Sequence, residues 1–154
     1  NIRCCLKPGG RAYASFRNKL FAMFTANRYS HDFVLDELLP DIPEAMRQAV
    51  SQDLQGRLAM DKPPLRTTNP AGDIGFDLIR SGMHNPLQAD ALFREAGFAS
   101  TALEWYHYHP VPPMLEGEAV SPADFRRAAM ALEGETSGWR GLFLCSAYLV
   151  EAVA

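Results

Sequence analysis

Cysteine, long apolar runs and a secretion leader are scarce or missing in this sequence, and each of these absences excludes a class of protein. Cysteine occurs 3 times in 154 residues, at Cys4, Cys5 and Cys145, and no two form a C-x-x-C pair. An odd number without that spacing argues against a disulfide framework and favours a reducing compartment. No apolar run approaches the roughly 20 residues of a membrane-spanning helix, and no charged-then-apolar segment opens the chain. We therefore predict a cytoplasmic protein without a membrane span.

A large excess of charge of either sign is missing as well. The chain has 15 Lys+Arg against 18 Asp+Glu, a net charge of -3, with no basic block. This balance argues against nucleic acid as a partner, because phosphate backbones attract basic surfaces; it leaves anionic small molecules open. With 47% apolar and 21% charged residues, the chain is neither disordered nor fibrous. Its length suits one domain with a substantial core.

Three segments have the composition of β-strands. They are 11–16, which follows a Lys-Pro-Gly-Gly turn at 7–10; 99–109, which prolines terminate; and 142–153, which is rich in aliphatic residues and has some helix before it. The remaining segments combine apolar residues at helical spacing with capping signals. These are 18–38 with a break at 27–29 and Ser30 as N-cap, 41–60 with Asp41 as N-cap, 86–96 ended by Gly97, and 122–132 capped by Ser121. We expect loop over 61–86, with one helical turn at 76–79.

The order of these elements is strand, helices, helix, strand, helix, strand, which predicts an α/β arrangement. Three strands make a thin sheet for that many helices, so we expect the architecture to be incomplete.

Two short motifs carry a resemblance to a known family. L-K-P-G-G-R at 6–11, followed by A-Y-A-S, resembles the C-terminal half of class I S-adenosylmethionine-dependent methyltransferases. In that family a helix ends in L-K-P-G-G and the next strand is the fifth of a seven-stranded sheet. E-A-G-F at 95–98 is similar to the end of the family's last helix before the sixth strand. The segment 145–153 would then be the seventh strand, antiparallel to its neighbours.

The resemblance implies a partial Rossmann-like methyltransferase fold, with the last three strands of the sheet and a helical insertion. Residues 1–154 would form the C-terminal part of one domain, and 17–80 would be an acceptor-binding cap. The cofactor would be S-adenosyl-L-methionine. Its glycine-rich turn and acidic residue would lie upstream of Asn1, so we expect a fragment that is inactive alone. The implied reaction is methyl transfer to a small-molecule or glycan-like acceptor.

His107 and His109 are the candidate catalytic residues. On an alternating strand they share one side with Leu103 and Trp105, at a strand end where open α/β sheets bind ligands. A histidine base would serve if the acceptor is a hydroxyl group. Tyr106 is a candidate for lining the acceptor pocket. The alternatives are packing of both imidazoles against Trp105 and the prolines, or a metal site completed by a further ligand.

Arg17 and Asn18 follow the first strand, and Arg28 and Tyr29 lie in the predicted cap; all four are candidate substrate-binding residues. Arginine suits a carboxylate or phosphate through its planar fork, and the alternative for each residue is capping or surface solvation. Phe16, Phe21, Phe24 and Phe33 fit either an apolar lid or core. The three thiols are expected to be buried and structural.

Two other functions remain open at this stage. One is a non-catalytic α/β interaction module that docks through the aromatic helices. The other is a metal-dependent hydrolase that uses His107 and His109, although no H-E-x-x-H motif or second H-x-H pair supports it.

Overall fold

The computed structural model describes residues 2–75, 82–112 and 120–154, and it shows a mixed α/β protein with an open four-stranded sheet. The strand order is β2-β1-β4-β3. The elements are β1 (Arg11–Asn18), α1 (Arg28–Phe33), α2 (Glu44–Arg57), β2 (Met83–His84), α3 (Ala89–Glu95), β3 (Ser100–Tyr108), α4 (Pro122–Leu132), α5 (Gly141–Leu144) and β4 (Cys145–Val153). Short 3-10 turns lie at Ile2–Cys5, Leu20–Phe24 and Pro86–Gln88, and a π-helical turn lies at Val34–Leu38.

β4 occupies the inside of the sheet and runs antiparallel to both of its neighbours. Leu149 is in register with Ser15 of β1 and with Glu104 of β3. The turn before β1 uses Gly9 at φ 75°, a conformation that favours glycine, and the Gly9 N–H donates to Ala154 O at 2.8 Å. The predicted antiparallel orientation of the last strand is therefore confirmed.

One face of this sheet carries the main core. Trp105, Tyr148 and Val150 are buried there, and helix α3 and the residues after it cover them through Ala89 and Phe98. Further side chains complete the cluster: Phe16 stacks on Tyr148 at 5.5 Å between ring centroids, and Phe93, Leu132, Leu142 and Leu144 pack around it. The aliphatic composition of 142–153 thus reflects a strand that is paired on both sides and covered on one face.

The chain divides into two compact units. The first comprises Asn1–Phe21 and Met83–Ala154 and holds the sheet, and the second is Ala22–Gly82 and holds α1 and α2. The insertion predicted over 17–80 overlaps the second unit, but the first unit keeps residues 17–21 because they continue β1 and its following turn.

Several predicted boundaries are wrong. β2 lies within the predicted loop, so four strands are present rather than three. Helix α1 is capped by Asn27, and Ser30 instead completes the capping box from the third helical position. Helix α2 begins at Glu44 with Pro43 in the N-cap position, so Asp41 is not its cap. The helical turn predicted at 76–79 lies outside the described residues.

The caps nearer the sheet agree with the sequence. Ser121 caps α4, where its side chain accepts from the Asp124 N–H, and Asn85 caps the turn that leads into α3. Gly97 adopts φ 93° just after α3. Among the residues described, no helix has the length and apolar character needed to cross a membrane.

Candidate functional site

β1 and β3 terminate at the same end of the sheet. Each is antiparallel to β4, so the two strands run parallel to each other and their carboxyl ends coincide. Phe21, just beyond β1, contacts His109, just beyond β3, with 4.6 Å between the ring centroids. We call this end of the sheet the strand-end site; its residues are Arg17, Phe21, Tyr106, His107 and His109. Carboxyl ends of strands in open α/β sheets are where ligands bind.

His107 interrupts β3 and overturns the predicted alternation. Its φ is 57°, in the left-handed region that few residues other than glycine adopt. Both its N–H and that of Tyr108 donate to the Glu133 carboxylate, at 3.2 and 2.8 Å. Two successive N–H groups therefore face one anion, as in a backbone nest. The strand turns over at this point, so Tyr108 joins Trp105 in the core while His107 is exposed. The two histidines do not share a face with Leu103 and Trp105.

His109 has the more enclosed position of the two histidines. It is half-buried, its N–H donates to Leu144 O at 2.8 Å, and its ring lies between Phe21 and Phe125, the latter at 5.8 Å. His107 lies against Tyr106 at 4.9 Å and is otherwise open to solvent. An imidazole between aromatic rings is oriented by packing, which a base acting on a bound hydroxyl requires.

Arg17 and Tyr106 lie on the same face of the sheet, one on each side of Ala147. Both are in register with Ala147, which places them about 10 Å apart at the usual strand spacing. The Tyr106 hydroxyl is hydrogen-bonded to Ser15 Oγ across β4. This face bears two of the five predicted substrate-binding side chains, whereas the aromatic core lies on the opposite face.

Asn18 is a buried structural residue. It is 1% exposed; its Nδ2 donates to Leu142 O and Cys145 O, both at 2.8 Å, and its Oδ1 accepts from the Leu20 N–H at 3.0 Å. These bonds fasten the end of β1 to the start of β4. Its predicted contact with substrate is replaced by contacts within the fold.

Arg28 and Tyr29 lie in the second unit, at the start of α1. The Arg28 guanidinium lies over the Tyr29 ring, with its Cζ 4.7 Å from the ring centroid, and its Nε donates to Pro63 O at 3.3 Å. The Tyr29 N–H donates to Asn27 Oδ1 at 2.9 Å as part of the cap. Both residues thus stabilise the beginning of this helix, which is the alternative that the sequence left open.

The thiols differ from the prediction in part. Cys145 is buried as expected, and burial raises its pKa to about 12, so it is protonated at neutral pH and is a poor nucleophile. Burial likewise raises the pKa of Tyr108 and of Tyr148 to about 12. Cys4 and Cys5 are exposed, because the 3-10 turn that carries them buries none of its residues.

The four phenylalanines do not form a common lid. Phe16 packs edge-on against Phe93, with 6.0 Å between ring centroids, and lies in the core cluster of the first unit. Phe21 belongs to the strand-end site, and Phe33 is buried within the second unit. Phe16 and Phe33 are therefore packed in a core, which was the alternative to a lid. Phe24 lies in the 3-10 turn that follows β1.

The described residues do not form the cofactor site that the resemblance requires. β1 leads into Lys19 and Leu20, β2 into Asn85 and Pro86, and β3 into His109 and Pro110, so no described strand is followed by a glycine-rich turn. Within the described ranges, no three His, Cys, Asp or Glu side chains are grouped to hold a metal ion.

Two contributors to the strand-end site escaped the sequence analysis. Glu133 lies just after α4 and 26 positions from His107 in the chain, and Phe125 lies within α4. Nothing in the local sequence marks either one, because their roles depend on how α4 returns to β3. The left-handed conformation of His107 does point to the contact with Glu133, but it is a property of the backbone and cannot be read from the sequence.

Comparison of the chain with protein-family models, with curated proteins and with solved structures finds no match.

Proposed function

We propose that this chain is the acceptor-side part of a class I S-adenosylmethionine-dependent methyltransferase domain that acts on a small-molecule or glycan-like acceptor. The observation that supports this most is the position of β4, inserted between β1 and β3 and antiparallel to both. The resemblance at 6–11 and 95–98 assigns these three strands as the fifth, seventh and sixth.

The strand-end site suits this role. Methyl transfer from a sulfonium is an in-line displacement, so the protein contributes mainly alignment of the acceptor. An acceptor hydroxyl must also lose a proton. His109 is the better base, because Phe21 and Phe125 orient its ring, whereas His107 is exposed. Arg17 and Tyr106, on the face opposite the aromatic core, would contact polar groups of the acceptor.

The test uses the complete product of the gene that encodes this chain. Ultraviolet cross-linking with methyl-tritiated S-adenosyl-L-methionine should label that protein, and excess unlabelled cofactor should suppress the label. Absence of labelling contradicts the proposal. Reading the coding DNA upstream of Asn1 gives a second test, because a strand, a G-x-G-type turn and an acidic residue about 20 positions later should be encoded there.

Substituting each of the two histidines in turn tests which one is the base. With a panel of small alcohols and oligosaccharides as acceptors, we expect His109→Gln to lower product formation about 10²- to 10⁴-fold, the usual contribution of a positioned base. His107→Gln should change it little. The reverse order would move the assignment to His107, and equal, small effects would show that the acceptor needs no histidine base.

A second candidate, a non-catalytic interaction module, is favoured by one feature of the sheet. Tyr13 is 58% exposed on the face of the sheet opposite the aromatic core. The docking surface would then be this face and not the aromatic helices, whose Phe33 is buried. A gene product that lacks any upstream glycine-rich turn and fails to bind the cofactor would support this second reading.

A further inference from the structure

The second unit contains a serine, a histidine and an aspartate joined in series. His31 and Asp32 lie on α1, and Ser51 lies in the middle of α2. Ser51 Oγ is 2.9 Å from His31 Nε2, and Asp32 Oδ1 is 3.0 Å from His31 Nδ1. The imidazole is therefore held between a hydroxyl and a carboxylate at hydrogen-bonding distance on both sides.

The carboxylate fixes which nitrogen of His31 carries the proton. An ionised aspartate can only accept hydrogen bonds, so Nδ1 must be the protonated nitrogen of the neutral ring. Nε2 is then left with its lone pair directed at the Ser51 hydroxyl. This is the tautomer that a histidine needs in order to remove a proton from a serine nucleophile.

Packing between the two helices holds this series in place. Arg47, one turn before Ser51 on α2, donates to Leu35 O and to Asp36 Oδ1, both at 2.5 Å. These bonds tie α2 to the turn that continues α1. The His31 side chain is 12% exposed, so its ring is held by its surroundings, whereas the Asp32 side chain is 62% exposed.

Ser51 also opens onto a groove. A groove of about 410 Å³ runs along α2, and it is lined by Leu35, Glu44, Arg47, Gln48, Ser51, Gln52 and Gln55. The Gln55 side-chain amide donates to Ser51 Oγ at 3.2 Å. The same N–H group can turn to an oxyanion formed on a carbonyl carbon bound at Oγ, which is the role that side-chain amides take in some oxyanion holes.

We propose that Ser51, His31 and Asp32 form a hydrolytic site for small esters. Ser51 Oγ attacks the ester carbonyl carbon while its proton passes to His31 Nε2. The bond to the alcohol oxygen breaks, and that oxygen takes the proton from His31. Water then attacks the acyl-serine with His31 again as base, which releases the acid and restores Ser51. Asp32 is a positioning residue that orients the imidazole through its contact with His31 Nδ1.

The experiment is covalent labelling of the full chain with diisopropyl fluorophosphate, followed by intact-mass measurement and peptide mapping. Phosphorylation at Ser51 forms a P–O bond and releases fluoride, and we expect one adduct, at Ser51. Ser51→Ala should abolish it without unfolding α2, because alanine favours helix. Ser121→Ala is the matched control: that hydroxyl also contacts a carboxylate, Asp124 Oδ2 at 2.7 Å, and it should leave the adduct unchanged.

The supporting residues are tested by rate. We expect His31→Gln to slow labelling about 100-fold or more, as for loss of a general base. Asp32→Asn should lower kcat for p-nitrophenyl acetate while leaving KM and the melting temperature unchanged, since a merely structural residue would move the melting temperature. No adduct, adducts confined to tyrosines, or labelling of Ser51 at equal rates in the His31→Gln protein would each overturn the proposal.

Discussion

The two edges of the sheet satisfy their backbone groups in different ways. On the β3 edge, the segment after α4 supplies acceptors: Trp105 N–H donates to Thr136 O at 2.8 Å, and Glu133 accepts from the next two outward N–H groups. On the β1 edge, among the residues described, β2 pairs only with Arg17 and Asn18. From Trp105 onward the β3 edge is closed by the chain itself, whereas most of the β1 edge has no partner among the described residues.

The register shows which groups the open edge presents. Ala154 N–H donates to Gly10 O at 2.8 Å, and hydrogen bonding alternates along an antiparallel pair. The N–H groups of Arg11, Tyr13 and Ser15 therefore point away from β4, and no described residue pairs with them. An unpaired row of this kind accepts a further strand. The proposed methyltransferase domain, in which β1 would be an inner strand, accounts for an open edge here and a closed one at β3.

High pH should lower the free energy of unfolding more than any substitution below, because the groups that it ionises lie in β3 and in the central strand β4. Burial raises the pKa of Cys145 to about 12 from an ordinary value of 9.0, and that of Tyr108 and Tyr148 to about 12 from 10.0. A folded pKa above the unfolded one gives stability that is complete below the unfolded pKa and is lost as pH rises towards the folded pKa. We expect the free energy of unfolding, from urea titrations, to fall steadily from about pH 9 to 12.

Cys145→Ala sharpens that measurement. Removing the group with the lowest ordinary pKa should move the onset of the decline up towards pH 10, near the ordinary pKa of tyrosine. A free energy of unfolding that is constant up to pH 11 would contradict the burial of these three groups.

Gly141→Ala is the mutation with the largest expected effect. A Cβ at this position would overlap the ring of Trp105, which is 6% exposed and has no room to withdraw. Overpacking of this kind costs about 3 kcal/mol or more when the neighbour cannot move. Gly134→Ala is the control, since a Cβ there has nothing within 4 Å. Urea unfolding that ranks the two variants equally would contradict the packing described for the closed side.

Asn18→Ala tests the end of the open-edge strand. The substitution leaves Leu142 O and Cys145 O without the amide that they share, and each buried unsatisfied group costs about 1–3 kcal/mol. We expect a loss of about 2–4 kcal/mol in the free energy of unfolding. Asn85→Ala removes an exposed cap instead and should cost about 1 kcal/mol. If both variants lose the same free energy of unfolding, the hydrogen bonds of Asn18 do not stabilise the junction between β1 and β4.

Glu133→Ala opens the end of the β3 edge and leaves the bond from Trp105 N–H to Thr136 O in place. Two N–H groups, those of His107 and Tyr108, lose their acceptor, but water can reach the exposed one, so we expect a loss of about 1–2 kcal/mol. Glu133→Gln keeps one oxygen acceptor and should recover part of that loss. Amide hydrogen exchange at Tyr108 gives the direct readout: it should accelerate in the alanine variant, and unchanged exchange would contradict the described contact.

The sequence predicts the strands of this sheet better than the site at their ends. The strands over 11–16, 99–109 and 142–153 carry their own signals, namely a glycine turn, alternation and an aliphatic run, and each is present with shifted boundaries. β2 has two residues, too few for any periodicity to register. The reversal at His107 depends on Glu133, and the Ser51–His31 contact joins two helices. Such pairings depend on tertiary packing, which local patterns do not encode.

Tyr13→Lys should have the smallest effect on stability and tests the open edge directly. Tyr13 is 58% exposed and lies opposite Glu151 in β4, which already pairs with Arg11, so a lysine there adds little to the existing pair. We expect the free energy of unfolding to change by less than about 0.5 kcal/mol. An added charge on an open edge should nevertheless weaken strand-to-strand association. Sedimentation velocity over a concentration series should show less self-association than for the unmodified chain. Glu104→Lys on β3 is the control, because the edge beside it is closed from Trp105 onward, and an equal decrease in both variants would remove the distinction between the two edges.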